Sequence, residues 1–146
     1  MPSFKGLFRY TIDNKGRVNI PSKIRKSMDP SSNETFVITK GLDGCLFVFP
    51  LNEWDKIEEK FRELSLTQKD HRFFIRSLYS HAYEVQCDRQ GRIAIPSQLT
   101  ILAKIEKEVI VTGIFNRIEI WNPTVYDEYL ETTDETYESI AEKIVL

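Results

Sequence analysis

An α+β fold made from one duplicated unit is what the sequence predicts, and three observations lead there. A motif recurs at an offset of 75, where Asp13, Gly16, Arg17, Ile20, Pro21 and Ser22 meet Asp88, Gly91, Arg92, Ile95, Pro96 and Ser97. The match resumes at an offset of 72, with Gly41, Gly44, Leu46, Val48, Phe49 and Trp54 aligned to Gly113, Asn116, Ile118, Ile120, Trp121 and Tyr126. Such self-similarity marks a repeated supersecondary unit. Around each motif apolar and polar residues alternate with a period of two, as half-buried strands require, while other stretches carry apolar stripes at helical spacing.

In the first unit Phe8, Tyr10 and Ile12 alternate with Leu7, Arg9 and Thr11, which predicts a strand. Asp13, Asn14, Lys15 and Gly16 are turn formers, Gly16 being free to take positive φ. Val18 and Ile20 then alternate with Arg17 and Asn19, so a two-stranded ribbon is expected with its apolar set on a core and Arg9, Thr11, Arg17 and Asn19 on the wet face. Pro21 suits the first turn of a short helix that ends near Asp29 and Pro30.

Strands are expected at residues 35–40 and 45–49, joined through GLDG, and in the second unit at 108–112 and 117–121, joined through GIFN. Gly44 and Asn116 hold one turn position, and both residue types tolerate left-handed backbone. Asn52 is placed to cap a helix with Trp54, Ile57, Phe61 and Leu64 on one stripe, and Asn122 with Pro123 opens its counterpart. Trp54, Trp121 and Tyr126 thus fall at core positions. Thr67 and Asp70 read as a capping box before Phe74, Ile75 and Leu78. Tyr137, Ile140, Ala141, Ile144 and Val145 have helical spacing on an acidic segment, an apolar stripe that needs a partner surface.

Charge is unevenly placed. The net charge is −2, yet residues 1–26 hold Lys5, Arg9, Lys15, Arg17, Lys23, Arg25 and Lys26 against Asp13 alone. The remaining 120 residues keep 13 cations and 21 acids. One basic face on an acidic body suits an anionic partner, with the rest held off by repulsion. No apolar run approaches the roughly 20 residues of a membrane helix, and MPSFKGLFRY lacks a signal peptide's hydrophobic segment, so a cytoplasmic protein is expected. Cys45 and Cys87 lie in apolar runs without a second Cys or His at metal-ligand spacing and are expected to be reduced thiols. Catalysis finds no support: His71, His81 and the two cysteines form no nucleophile or metal motif, and no phosphate-binding glycine loop is present. Neither cofactor nor metal is expected.

The doubled D-x-K/Q-G-R-h-x-I-P-S pattern, where h is apolar, resembles the MraZ family, tandem members of the AbrB-like (SpoVT-AbrB) regulators. PLNEWDKIEEKF (50–61), SHAYEVQCDRQGR (80–92) and TGIFNRIEIW (112–121) extend the resemblance over nearly the whole chain. It implies swapped-hairpin units that intertwine as a pseudo-dimeric β-barrel with flanking helices. The repeats would cover 7–54 and 83–126, with a helical linker at 55–82 and a C-terminal helical region at 127–146. It also implies a nucleoid-associated repressor of its own division and cell-wall gene cluster, a ring-shaped homo-oligomer on promoter direct repeats, and DNA contact through the element that falls here on Asp13 to Arg17 and Asp88 to Arg92.

The residues themselves suit that chemistry. An Arg on a ribbon can meet a guanine edge in bidentate fashion, which makes Arg17 the first candidate. Asn19 could read an adenine or hold a phosphate; Lys15, Lys23, Arg25, Lys26 and Arg9 suit backbone phosphates. Asp13 and Gly16, like Asp88 and Gly91, are assigned to shaping the turns, with Asp13 fixing Arg17. The second copy departs from the first, having Ala94, Gln98 and Thr100 for Asn19, Lys23 and Arg25. The basic hairpin of repeat 1 is therefore expected to lead, and Arg92, with few cations around it, to serve first as partner of Asp88. The alternative reading is an AbrB-like antitoxin whose acidic C-terminal region, eight acids and one lysine from Glu119 onward, binds a partner protein.

Overall fold

The computed structural model describes residues 1–132 and 135–144. Strands β1 (Leu7–Thr11), β2 (Arg17–Asn19), β3 (Thr35–Lys40) and β4 (Leu46–Pro50) belong to the first unit, with a five-residue helix α1 (Ser22–Lys26) after β2. Helices α2 (Leu51–Phe61) and α3 (Lys69–Ser80) lead to β5 (Tyr83–Gln86), β6 (Arg92–Ala94), α4 (Ser97–Leu102), β7 (Glu108–Ile114), β8 (Arg117–Trp121), α5 (Pro123–Glu131) and α6 (Tyr137–Lys143).

Mixed α and β elements appear as expected, but the strand pairing corrects the hairpin reading. The strands that flank the first turn do not pair with each other: β1 lies against β7, and β2 pairs only with β6 of the other repeat. Six strands form one antiparallel sheet in the order β1-β7-β8-β4-β3-β5, and β2 with β6 forms a separate ribbon. The large sheet does not close into a barrel; β1 and β5 remain its edges. Arg9 is register partner of Ile110, whose side chain packs on the α5 side of the sheet. The common wet face expected for Arg9 and Arg17 is therefore not found.

Alternation along each strand divides the apolar residues between two layers. Phe36, Ile38, Leu46, Val48, Val109, Val111, Ile118 and Ile120 join Val18, Ile20, Ile93 and Ile95 of the ribbon, with Ile24 of α1 and Leu99 of α4, in the main core. On the opposite face Val37 and Phe49 pack with Trp54 and Leu78 of α2 and α3, while Cys45, Ile110 and Trp121 meet Val125 and Tyr126 of α5. Thr39, the buried polar residue near the end of β3, donates to the Leu78 carbonyl at 2.8 Å, which ties α3 to the sheet.

Several local signals resolve differently. Helix α2 begins at Leu51 after Pro50, so Asn52 is no cap, and Leu64 lies beyond its end. Gln68 precedes α3 without a side-chain cap; Thr67 instead bonds Ser65, so the capping box does not form. Helix α1 stops at Lys26, a turn earlier than expected. In the second hairpin Phe115, not Asn116, takes the left-handed conformation, matching Asp43 in the first. Asn122 does cap α5, accepting from the N–H groups of Thr124 and Val125. The predicted C-terminal stripe falls on α6 and Ile144, with Val145 outside the described residues. Among the described residues no helix is long and apolar enough to cross a membrane.

Val18 and Ile93 face each other at the centre of the ribbon, and both are 0% exposed. Ile93→Ala should cost about 2–5 kcal/mol, the range for a buried Ile truncated in a close-packed core. Because the ribbon takes one strand from each repeat, both halves should be lost in one transition. Urea unfolding followed by far-UV circular dichroism and by the fluorescence of Trp54 and Trp121 checks this: coincident curves are expected, shifted together by the mutation.

Candidate nucleic-acid interface

The ribbon sits over the core with Val18 and Ile93 inward, so its other face is made by Arg17 beside Ala94 and Asn19 beside Arg92. Directly opposed residues of an antiparallel pair share a face. The two repeats thus supply one arginine each to a single patch. Two further backbone bonds, Ile20 N–H to the Gly91 carbonyl at 2.9 Å and Ile95 N–H to the Gly16 carbonyl at 2.8 Å, fasten each turn to the other repeat.

Each arginine is set by the aspartate that opens its own turn. Asp13 Oδ1 accepts from the backbone N–H of Lys15 and of Arg17, both at 2.9 Å, and Oδ2 accepts from Arg17 Nε at 2.7 Å. In the second turn Asp88 Oδ1 accepts from Gln90 and Arg92 N–H, and Oδ2 from Arg92 Nε, all at 2.9 Å. Gly16 and Gly91, at φ of 75° and 76°, complete the turns in a conformation that side chains with a Cβ rarely adopt. Binding at Nε fixes the guanidinium plane and leaves the two Nη groups for another acceptor. Arg92 Nη1 also lies 3.5 Å from Asp13 Oδ2, so one carboxylate touches both arginines.

The carboxylates respond as this geometry requires. Asp13 is lowered from 3.8 to about 2, first by the Arg17 N–H bond and then, against a desolvation that raises it, by the Arg17 side chain and the Lys15 N–H. Asp88 is lowered in the same way, with Arg92 N–H the largest cause. Both turns keep their charge well into acid.

The other cations divide. Lys15 is exposed at the tip of the first turn, and Lys23 and Lys26 are exposed on α1. Arg25 is not: its guanidinium packs on Gly91, where an added Cβ would lie 2.5 Å from Cζ, while Nε donates to the Ile20 carbonyl at 3.2 Å and Nη1 lies 3.8 Å from Glu34. It braces the second turn from behind rather than standing free as a phosphate ligand. Arg9 stands apart, on the sheet face away from the ribbon's core side. Sequence reasoning passed over Arg89, exposed at the tip of the second turn; its place inside the second motif was the available signal. Gln98 is engaged by the Tyr83 hydroxyl.

Burial pushes the Cys45 thiol up to about 12 and that of Cys87 up to about 11, so neither is a thiolate near neutral pH. The His71 ring accepts from the Ser65 N–H, and His81 Nδ1 bonds the Ser77 carbonyl at 2.6 Å.

Comparison with known proteins agrees with this duplicated architecture. The family model described as "MraZ protein, putative antitoxin-like" matches residues 3–77 and again 78–146. A protein of Caldanaerobacter subterraneus subsp. tengcongensis named "Transcriptional regulator MraZ" is 51% identical over 139 residues, 95% of this chain and 94% of the relative. Proteins with the same name from Natranaerobius thermophilus and Pediococcus pentosaceus are 46% and 44% identical, each over 97% of this chain and 96% of the relative.

The aspartates allow a test that separates positioning from net charge. Removing a carboxylate from this patch would strengthen binding to an anionic duplex if charge alone mattered. Asp13→Ala should instead weaken binding to a DNA duplex by roughly 5- to 30-fold, because the charge-assisted hydrogen bonds that hold Arg17 and its turn are lost. Fluorescence anisotropy at fixed salt measures it.

The pH dependence has a definite sign. Asp13's folded pKa is lower than its ordinary value, so its stabilising effect is present above about 4 and is lost as pH falls through about 2. Carboxyl-carbon NMR should show Asp13 titrating with a midpoint near 2.

Proposed function

Because this chain belongs to the MraZ family, we propose that it is a transcriptional regulator whose β2–β6 ribbon enters the major groove of double-stranded DNA. The observation that carries this reading is the single patch of Arg17 and Arg92, each held at Nε by its own aspartate. A two-stranded ribbon fits the major groove, and a fixed guanidinium suits the O6 and N7 of guanine. Asn19, directly opposite Arg92 and two residues beyond Arg17, suits an adenine edge or a phosphate. Lys15 and Arg89 at the turn tips, with Lys23 and Lys26 on α1, are within the same basic surface and take backbone phosphates, which position the protein without reading sequence.

The equivalence of the two turns changes the weight given to Arg92. It stands on the same ribbon as Arg17 with the same aspartate bonds, so repeat 2 contributes to the contact despite having Ala94 for Asn19. The repeats at 7–54 and 83–126 act as one DNA-reading unit.

One ribbon offers two arginines, one asparagine and a few phosphate contacts, which corresponds to weak binding. Joining copies makes later contacts intramolecular and raises avidity by roughly 10²–10⁴. We therefore assign a ring-shaped homo-oligomer acting on direct repeats about 10 bp apart, one helical turn, so that successive ribbons lie on one face of the duplex. Its role is that of a cytoplasmic, nucleoid-associated repressor of its own division and cell-wall gene cluster. The antitoxin-type alternative, with the acidic C-terminal region on a partner protein, draws on the wording of the family description.

Mobility shift on the DNA upstream of the protein's own gene tests the reading. Arg17→Ala and Arg92→Ala should each lose specific binding by roughly 1–3 kcal/mol while keeping the fold. With the four cations at the turn tips and on α1 meeting phosphate, the log–log salt slope should be about −3 to −4 per bound copy. Variants that bind like wild type, or affinity indifferent to salt, would overturn it.

Operator spacing provides a second check. Inserting half a turn between two repeats should damage binding far more than inserting a full turn. Protection of a single palindrome by a dimer would exclude the direct-repeat arrangement.

A further inference from the structure

The two ends of the ribbon are related by the duplication, yet they are not alike. Because β2 and β6 pair antiparallel, the pseudo-twofold axis passes between Val18 and Ile93, and each end takes residues from both repeats. At one end Arg17 lies opposite Ala94; at the other Asn19 lies opposite Arg92. The turns and short helices follow the same exchange. The first turn shares a crevice with Ser97 and Thr100 of α4, whereas Gly91 of the second turn sits against Arg25 of α1. Each turn tip carries one exposed cation, Lys15 or Arg89. The helices differ: α1 brings the exposed Lys23 and Lys26 to the Asn19 end, and α4 has Gln98 and Ile101 at the equivalent positions beside the Arg17 end.

Asn19 and Ala94 hold equivalent positions, so the outward face carries one carboxamide where symmetry would put two or none. Arg17 and Arg92 are each tied at Nε, but among the described residues the Asn19 side chain makes no hydrogen bond. It is free to meet a ligand. A carboxamide donates and accepts at once and fits the N6 and N7 edge of adenine, while a methyl group such as that of Ala94 can only pack on the methyl of thymine. Spacing decides which arginine Asn19 works with. Directly opposed residues have Cβ atoms about 4.5–5.5 Å apart, and two rises along a strand amount to about 6.6 Å. With the strands running along the groove and base pairs stacked about 3.4 Å apart, Asn19 shares a step with Arg92 and lies about two base pairs from Arg17.

We propose that Asn19 gives the ribbon its direction on DNA: together with Arg92 of the other repeat it specifies one end of the site, and Arg17 with Ala94 specifies the other. This rests on the major-groove reading above and names the residues that act together within it. Partnership crosses the repeats, so Asn19 cooperates with an arginine 73 positions away rather than with Arg17 of its own strand. Lys23 and Lys26 hold the phosphates that flank the Asn19 end, which makes that end the more firmly gripped of the two.

A substitution scan tests it. The full chain is titrated by anisotropy against a duplex holding one repeat from the DNA upstream of its own gene, with every base pair replaced in turn. A base pair specified by a bidentate contact should resist replacement by roughly 5- to 150-fold in affinity, and removing the side chain that reads it should cut that preference to within about twofold. Asn19→Ala should do so at the base pair that Arg92→Ala also affects, or at its neighbour, and about two base pairs from the one affected by Arg17→Ala. The exchange Asn19→Ala with Ala94→Asn, the latter at an exposed position, should move the lost preference from beside the Arg92 base pair to beside the Arg17 base pair. Phosphate ethylation interference adds a second readout: the contacts missing in Lys23→Gln with Lys26→Gln should flank the Arg92 end. Thermal melts confirm that each variant is folded.

An Asn19 preference that maps beside the Arg17 base pair overturns the proposal, as does Asn19→Ala weakening every duplex equally, the mark of a phosphate contact alone. So do lysine contacts that flank the Arg17 end. In each of these cases Arg17→Ala and Arg92→Ala still erase a base preference, and the groove-reading ribbon stands. If neither arginine variant changes any preference, the reading beneath the proposal fails with it.

Discussion

The pairing of β2 with β6 is the constraint on which the rest of the molecule depends. Each is only three residues long, too short to hold alone, and each buries a single branched residue, Val18 or Ile93, in the middle of the main core. Neither strand can be placed without the other repeat. Once they are paired, the inward residues fix the outward ones, because alternation along a strand allows no intermediate choice. The basic patch is thus a product of the core: Arg17 and Arg92 share a face because Val18 and Ile93 share the opposite one.

An aspartate beside a patch proposed to take an anionic partner at first looks misplaced. Its geometry explains it. Asp13 and Asp88 each accept three short hydrogen bonds from their own turns, two from backbone N–H groups and one from the arginine Nε. The backbone bonds hold the turn, and the third removes rotamer freedom from a long side chain before it meets any ligand. Pre-organisation of this kind reduces the entropy lost on binding. Arg25 extends the principle at one remove, since it stiffens the Gly91 turn without reaching the outer face.

Much of this was legible in the sequence, and the limits have physical causes. The repeat, the turn residues, the positions of β3, β4 and β8, and the Asp–Arg pairs all follow from local chemistry, so they could be read off residues 13–22, 35–50, 88–97 and 117–121 directly. Strand partners could not. The alternation in residues 7–20 says which side chains are buried but not which strand lies alongside, and a hairpin and an exchanged pairing have the same pattern. The same gap misplaced Arg9, whose face is set by β7, and Arg25, whose target is a glycine 66 positions away. Asn52 and Thr67 carry good capping chemistry, yet Pro50 starts α2 earlier and Gln68 precedes α3. The start of α2 is set by β4, which it follows without a loop, whereas α3 is reached through residues 62–68.

The exchanged pairing also bears on how the chain is made. When β1 and β2 leave the ribosome their partners, β7 and β6, do not yet exist; Arg17 pairs opposite Ala94, 77 residues later. At roughly 5–20 residues per second that interval lasts about 4–15 s. Through it the nascent first half presents Val18, Ile20, Phe36 and Ile38 without the strands that later cover them. Contacts so distant in sequence also slow the search once synthesis is finished. The newborn chain is therefore a natural client for chaperones that shield apolar strands, and fast translation of the segment between the two motifs shortens its exposure.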